Sequence, residues 1–143
     1  MHRISPFLAL AVLVFGCSRT NDFDGYNKQS GDLGAFVLQH ASRLGARIRS
    51  TNILPTLSVE WHYKEDTDGF QIYIVGNYFR QLESFLTAAF GPPARLPTTN
   101  ETAGTKHIGT SYGVELGAAL HYGWETTRDG KQFTSMVVVK QKR

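Results

Sequence analysis

The feature of the sequence that most constrains the fold is a long alternation of apolar with polar or small residues near the C-terminus. Between Tyr112 and Glu125, every second residue belongs to one apolar set, which comprises Val114, Leu116, Ala118, Leu120, Tyr122 and Trp124. A period of two residues is typical of a β-strand that buries one face. The alternation therefore predicts a long strand in an antiparallel sheet whose second face is open.

Two shorter alternations predict the rest of the sheet. Leu57–Lys64 and Phe70–Val75 alternate in the same way and are separated by five residues that contain a glycine. This arrangement is typical of a β-hairpin. A last apolar run, Phe133–Lys140, predicts a strand after a turn at Asp129 and Gly130, with Phe133, Val137 and Val139 facing inward.

Apolar residues at helical spacing predict two helices. They span Asp32–Arg49 and Asn77–Phe90, and each begins at a residue whose side chain can cap a helix. Gly91 and Pro92 predict the end of the second helix, because glycine favours the residue after a helix and proline cannot continue it.

The predicted fold is therefore an α+β domain with the order α-β-β-α-β-β. Its four-stranded antiparallel sheet carries both helices on one face. The opposite face is expected to be open and to display Glu60, His62, Tyr73, Glu115, His121, Glu125, Thr134 and Met136.

The N-terminus carries a targeting pattern. A basic start at Arg3 precedes nine apolar residues, 7–15, which are too few to span a membrane as a helix. The run ends at Val14-Phe15-Gly16-Cys17, which resembles the lipobox of bacterial lipoprotein signal peptides. The alternatives for this segment are an ordinary signal peptide cleaved elsewhere, an uncleaved membrane anchor, and a cytosolic N-terminus with a buried Cys17.

The resemblance implies cleavage before Cys17 and lipidation of that residue, which anchors the exported protein to a membrane. The location expected in a Gram-negative cell is the periplasmic side of the outer membrane. The predicted organisation is a signal peptide at 1–16, a lipidated cysteine with a flexible polar tether at 17–31, and a single domain at 32–143. Cys17 is the only cysteine, so no disulfide can form within one chain.

The net charge of the chain bears on whether nucleic acid is a partner. Loss of Arg3 with the signal peptide lowers the formal net charge from +3 to +2, which is close to balance. A nearly balanced charge gives no support to nucleic acid as a partner. The expected partners are the membrane, through the lipid on Cys17, and an envelope protein or polymer.

The candidate binding residues lie on the predicted open face: His62, Tyr73, Glu115 and His121. Two histidines and a carboxylate could bind zinc if they converged on one point. Histidines on a flat exposed sheet usually meet only water, so no metal, cofactor or catalytic residue is predicted. His107 is assigned to a loop.

A short segment at the start of the long alternation matches the motif of a catalytic serine. Residues 109–113 match G-x-S-x-G around Ser111, but that motif requires a strand before the serine and a helix after it. Here a strand follows, and His121 precedes Asp129, which reverses the hydrolase order. The segment is interpreted as a turn.

Three function classes remain from the sequence. The leading one is a non-enzymatic envelope lipoprotein that binds or assembles through its sheet face. The alternatives are a small hydrolase, with or without a metal, that uses His62, His121 and Glu115, and an inhibitor or immunity-type protein that blocks a partner.

Overall fold

A computed structural model describes residues 23–50, 55–102, 104–112 and 116–141. Its two helices are α1 (Leu33–Arg43) and α2 (Phe79–Phe90). Its strands are β1 (Asn27–Asp32), β2 (Ser58–Glu65), β3 (Gly69–Val75), β4 (Thr98–Thr102), β5 (Thr105–Tyr112), β6 (Ala118–Thr126) and β7 (Gln132–Lys140). In this part of the chain, no helix is long and apolar enough to cross a membrane.

The strands form one antiparallel sheet of seven, in the order β1-β2-β3-β7-β6-β5-β4. The predicted four-stranded sheet is therefore wrong. The three missed strands are β1, β4 and β5. The predicted turn at 109–113 is wrong for residues 109–112, which end β5, and the long strand predicted from Tyr112 begins only at Ala118, as β6. Both β1 and β4 are exposed along their whole length and consist mostly of polar residues. Periodicity reveals a strand only when one face is buried, so these two gave no signal.

The predicted tether is also corrected by the structure. Its residues 27–31 belong to β1, which pairs with β2 from Asn27 opposite Tyr63 to Asp32 opposite Ser58. The preceding turn packs Phe23 and Tyr26 against the sheet. The lipobox and Cys17 lie outside the described residues.

The predicted hairpin is confirmed. β2 and β3 pair from His62 opposite Tyr73 to Glu65 opposite Phe70. Asp66 stabilises the connecting loop, because its carboxylate accepts hydrogen bonds from the backbone N–H groups of Asp68 and Gly69. An aspartate that bonds to the backbone two and three residues ahead is a common device of tight turns.

Both helices begin close to the predicted residues. The Asp32 carboxylate accepts hydrogen bonds from the N–H groups of Gly34 and Ala35, so it is the N-cap of α1. Asn77 accepts one hydrogen bond from the N–H of Phe79, just before α2.

The first helix ends at Arg43, six residues before the predicted end. Gly45 has a φ of +98°. The N–H of Gly45 donates to Ser42 O and the N–H of Ala46 donates to Ala41 O. This pair of hydrogen bonds is a Schellman motif, which closes a helix at a left-handed glycine.

The main core lies between the two helices and one face of the sheet. Its largest fully buried side chains include Trp61, Phe70, Tyr122 and Leu120 from the sheet and Phe85 from α2. The second sheet face is called the open face below, because neither helix covers it.

The side chains of β7 lie on the opposite faces of the sheet from those predicted. Met136 and Thr134 pair with Ile72 and Ile74 on the helix side. Phe133, Val137 and Val139 therefore lie on the open face. The strand is apolar on both faces, so its period of two could not decide which set points to the helices, and a shift of one residue exchanges the faces.

Candidate functional site

Four polar side chains form a row on the open face, across β5 and β6. Ser111 lies opposite His121, and His107 lies opposite Glu125. Between these two pairs, Gly109 lies opposite Gly123. The four side chains Ser111, His121, His107 and Glu125 are called the histidine row below.

Each member of the histidine row contacts the next. Ser111 Oγ lies 2.9 Å from His121 Nδ1. His121 Nε2 lies 3.3 Å from His107 Nε2. His107 Nδ1 lies 3.7 Å from Glu125 Oε1, which is ion-pair distance rather than a short hydrogen bond. The row is therefore a chain of polar contacts from a hydroxyl to a carboxylate.

The two imidazoles meet end to end. Their planes differ by 18° and their centroids are 5.6 Å apart, while the two Nε2 atoms are only 3.3 Å apart. The nitrogens therefore lie between the rings, nearly on the line that joins the centroids. Two unprotonated nitrogens would repel in this arrangement. One Nε2 must therefore carry a proton and donate a hydrogen bond to the other.

If both histidines are neutral, one assignment of protons satisfies every contact. The Ser111 hydroxyl donates to His121 Nδ1, His121 Nε2–H donates to His107 Nε2, and His107 Nδ1–H points to the Glu125 carboxylate. Both histidines are neutral in this assignment, and each uses one nitrogen as a donor and the other as an acceptor.

The row is partly shielded from water. The side chains of His107 and Glu125 are 28% and 11% exposed. Burial, together with the neighbouring His107, lowers the pKa of His121 to about 4. His121 is therefore neutral at physiological pH, in agreement with its role as an acceptor for Ser111.

Two glycines provide the space in which the imidazoles meet. A Cβ on Gly109 would lie 2.8 Å from His107 Nε2 and 3.0 Å from His121 Nε2. A Cβ on Gly123 would lie 2.7 Å from His107 Cε1 and 2.7 Å from the carbonyl oxygen of Ile108. Any larger residue would displace the rings or the backbone.

We expect Gly123→Ala to lower the free energy of unfolding by about 1–3 kcal/mol, the usual cost of overpacking. Urea denaturation of the variant measures this loss. The same substitution in a His107→Ala background should cost less, because one of the two close contacts is then absent. An equal cost in both backgrounds would contradict the described position of the His107 ring.

An aromatic cluster covers the other half of the open face. Phe23 stacks on His62 with centroids 4.1 Å apart and planes 11° apart. Its ring also contacts Tyr26, Tyr73 and Phe133 at centroid distances of 5.7–6.0 Å. The turn before β1 thus closes this part of the face.

Two tyrosines under the cluster share one acceptor. The hydroxyls of Tyr26 and Tyr73 donate to Gln71 Oε1 at 3.1 and 3.3 Å. Burial raises the pKa of both tyrosines, and that of Tyr73 is raised further by Tyr26 and by Glu125. Tyr73 is fully buried, so it does not belong to an exposed binding surface as the sequence predicted.

The two predicted histidines share the open face but do not meet. His62 is on β2 and His121 is on β6, three strands away. Strands lie about 4.8 Å apart, so the separation is roughly 14 Å. A zinc site that joins them cannot form. Glu115, the third residue of that set, lies outside the described residues, and Thr134 and Met136 lie on the helix face.

Sequence reasoning missed the histidine row as a unit. The sequence prediction places His107 in a loop and includes Ser111 only in a nucleophile motif. A signal does exist, because H-x-G-x-S at 107–111 and H-x-G-x-E at 121–125 have the period of a strand. Antiparallel pairing then joins the two triplets at their glycines.

The setting of the row is poor for serine catalysis. Ser111 lies within a strand rather than on a strand-to-helix turn, as the nucleophile elbow would require. A general base works best when its pKa is near the operating pH, and the pKa of His121 is far below it. Within the described part of the chain, no three His, Cys, Asp or Glu residues could hold a metal together.

Comparison of the chain with protein-family models, with curated proteins and with solved structures finds no match to any of them.

Proposed function

We propose that this chain is a non-enzymatic binding module of a bacterial cell envelope, tethered to a membrane by lipid on Cys17. Recognition of an envelope protein or polymer takes place on the open face, at the histidine row. One observation supports this choice of recognition surface. The histidine row is a partly exposed row of hydrogen-bonding groups beside two glycines. Both glycines are buried beneath the imidazoles, so a partner would meet the ring edges and the Ser111 hydroxyl rather than the backbone.

The anchor is supported by the lipobox and by the position of Cys17 at the end of the apolar run. We expect Cys17→Ser to abolish incorporation of labelled palmitate and to leave the chain with its signal peptide attached. Metabolic labelling and gel mobility measure both effects in a bacterial host. A variant that stays on the membrane with an unchanged mobility relative to the wild type would contradict lipidation.

The recognition surface can be tested by photo-crosslinking in the intact envelope. Asn100 is exposed on β4 and lies opposite His107, so its side chain is on the open face. Gln39 is exposed on α1 and serves as the matched control. A photo-reactive amino acid at Asn100 should give a discrete adduct, and the same group at Gln39 should give none.

The outcome also separates the binding module from its alternatives. Adducts of equal yield at both positions, or at Gln39 alone, would contradict recognition by the open face. An inhibitor or immunity-type protein predicts an adduct with one protein at a one-to-one ratio that survives purification. An assembly module predicts adducts with an envelope polymer or with several components.

A serine hydrolase is the second candidate function. It is favoured by one observation, the 2.9 Å contact between Ser111 Oγ and His121 Nδ1. A fluorophosphonate probe tests it, because such probes modify activated serines. We expect Ser111 to react no faster than it does in a His121→Gln variant. Faster labelling of the wild type would favour the hydrolase over the binding module.

A further inference from the structure

We propose that His107 and His121 bind one divalent transition-metal ion of the zinc type through their facing Nε2 atoms. Both histidines belong to the histidine row of the proposed recognition surface, and zinc binding by them does not depend on that proposed function. Imidazole nitrogen is a preferred ligand of such ions.

The separation of the two nitrogens fits this use. Ligand nitrogens lie about 2.0–2.1 Å from zinc, so two of them at a tetrahedral angle are about 3.3–3.4 Å apart. The two Nε2 atoms are 3.3 Å apart. Since the rings meet end to end, the ion would sit about 1.2 Å to one side of the line between the nitrogens, and each ring would have to turn by about 35° to aim its lone pair at the ion.

The outer nitrogens already have the partners that metal-binding histidines require. A histidine that binds a metal through one nitrogen usually donates its other N–H to a carboxylate or another acceptor. His107 Nδ1 faces the Glu125 carboxylate, and His121 Nδ1 faces the Ser111 hydroxyl. The contacts at the two Nδ1 atoms thus hold both rings with their Nε2 atoms toward each other.

Binding requires one proton to move. In the metal-free row, His121 carries its proton on Nε2 and accepts from Ser111. When the ion binds, that proton must be on Nδ1, where it donates to Ser111 Oγ, and the serine hydroxyl turns away. In this step the proton moves from one nitrogen of His121 to the other, so the ring keeps one proton before and after.

The two glycines keep side chains out of the space beside the two Nε2 atoms. Neither Gly109 nor Gly123 places a side chain between the rings. Two protein ligands make a weaker site than the three or four of resident zinc centres. Water would complete the coordination in the isolated chain, as it does at open catalytic sites.

The experiment is a calorimetric titration of the full chain with zinc chloride at pH 7.5. It uses a Cys17→Ser background in detergent, so that the thiol cannot bind the ion. We expect one zinc ion per chain, and at least a tenfold loss of affinity in both His107→Gln and His121→Gln. His62→Gln is the matched control, since His62 lies on the same face three strands away.

A second readout guards against misfolding of a variant. In long-range proton–nitrogen NMR spectra, zinc should shift the proton of His121 from Nε2 to Nδ1. Absence of binding by the parent chain, or binding that His121→Gln leaves unchanged, would overturn the proposal. A His121 tautomer that does not respond to zinc would do so as well.

Discussion

Phe85→Ala should lower the free energy of unfolding by about 3–5 kcal/mol, the usual cost of removing a buried phenylalanine ring. Phe85 is 2% exposed and lies in the main core. Its ring packs directly against Gly34 of α1, where a Cβ would lie 2.5 Å from it. Truncation therefore leaves a cavity between α1 and α2 that neither helix can fill without moving.

Urea denaturation followed by circular dichroism measures this loss. Leu96→Ala is the matched control, since Leu96 is 86% exposed and should change the stability by less than about 0.5 kcal/mol. A loss below about 1 kcal/mol for Phe85→Ala would contradict the packing of both helices on one face of the sheet.

Acidification from pH 6.5 to pH 4 should remove about 3 kcal/mol of stability through His121 alone. The pKa of His121 is lowered to about 4 in the folded chain, by burial first and by His107 second. An unfolded histidine has a pKa near 6.5, so between these values the unfolded state binds more protons. Stability is therefore complete above pH 6.5 and falls as the pH drops toward 4.

Denaturation curves for the wild type and His121→Gln measure this difference at several pH values. The variant should lose less stability over the same range, because its side chain does not titrate. In His107→Gln, the pKa of His121 should rise but remain below 6.5, since burial is the larger cause. A His121 pKa near 6.5 in the wild type would contradict the buried position of its ring.

The sequence predicted most elements that bury one face and failed for those that do not. The exception is β5, which buries Thr110 and Tyr112 but was missed. Periodicity predicts the hairpin of β2 and β3 and the apolar face of α2. Capping preferences predict the start of α1 at Asp32. In contrast, β4 consists of threonine, asparagine and glutamate, all exposed. Nothing in such a segment distinguishes an edge strand from a loop, because its stability comes from backbone pairing to β5.

The candidate site was predicted only in part, for a related reason. His121 and Glu125 were placed on the open face correctly, because they alternate with the buried residues of β6. His107 could be placed beside them only after β5 was recognised as a strand paired with β6. Tyr73 was expected on the surface, but Phe23 and Tyr26 fold over it from a segment that the sequence indicated to be a tether.

Ser111, His121, His107 and Glu125 form one directed chain of polar contacts on the open face. The most direct test is the tautomer of each histidine, read from long-range proton–nitrogen NMR spectra of the metal-free chain at neutral pH. We expect a proton on Nε2 of His121 and on Nδ1 of His107. The same tautomer in both rings, or rapid exchange between tautomers in either, would contradict it.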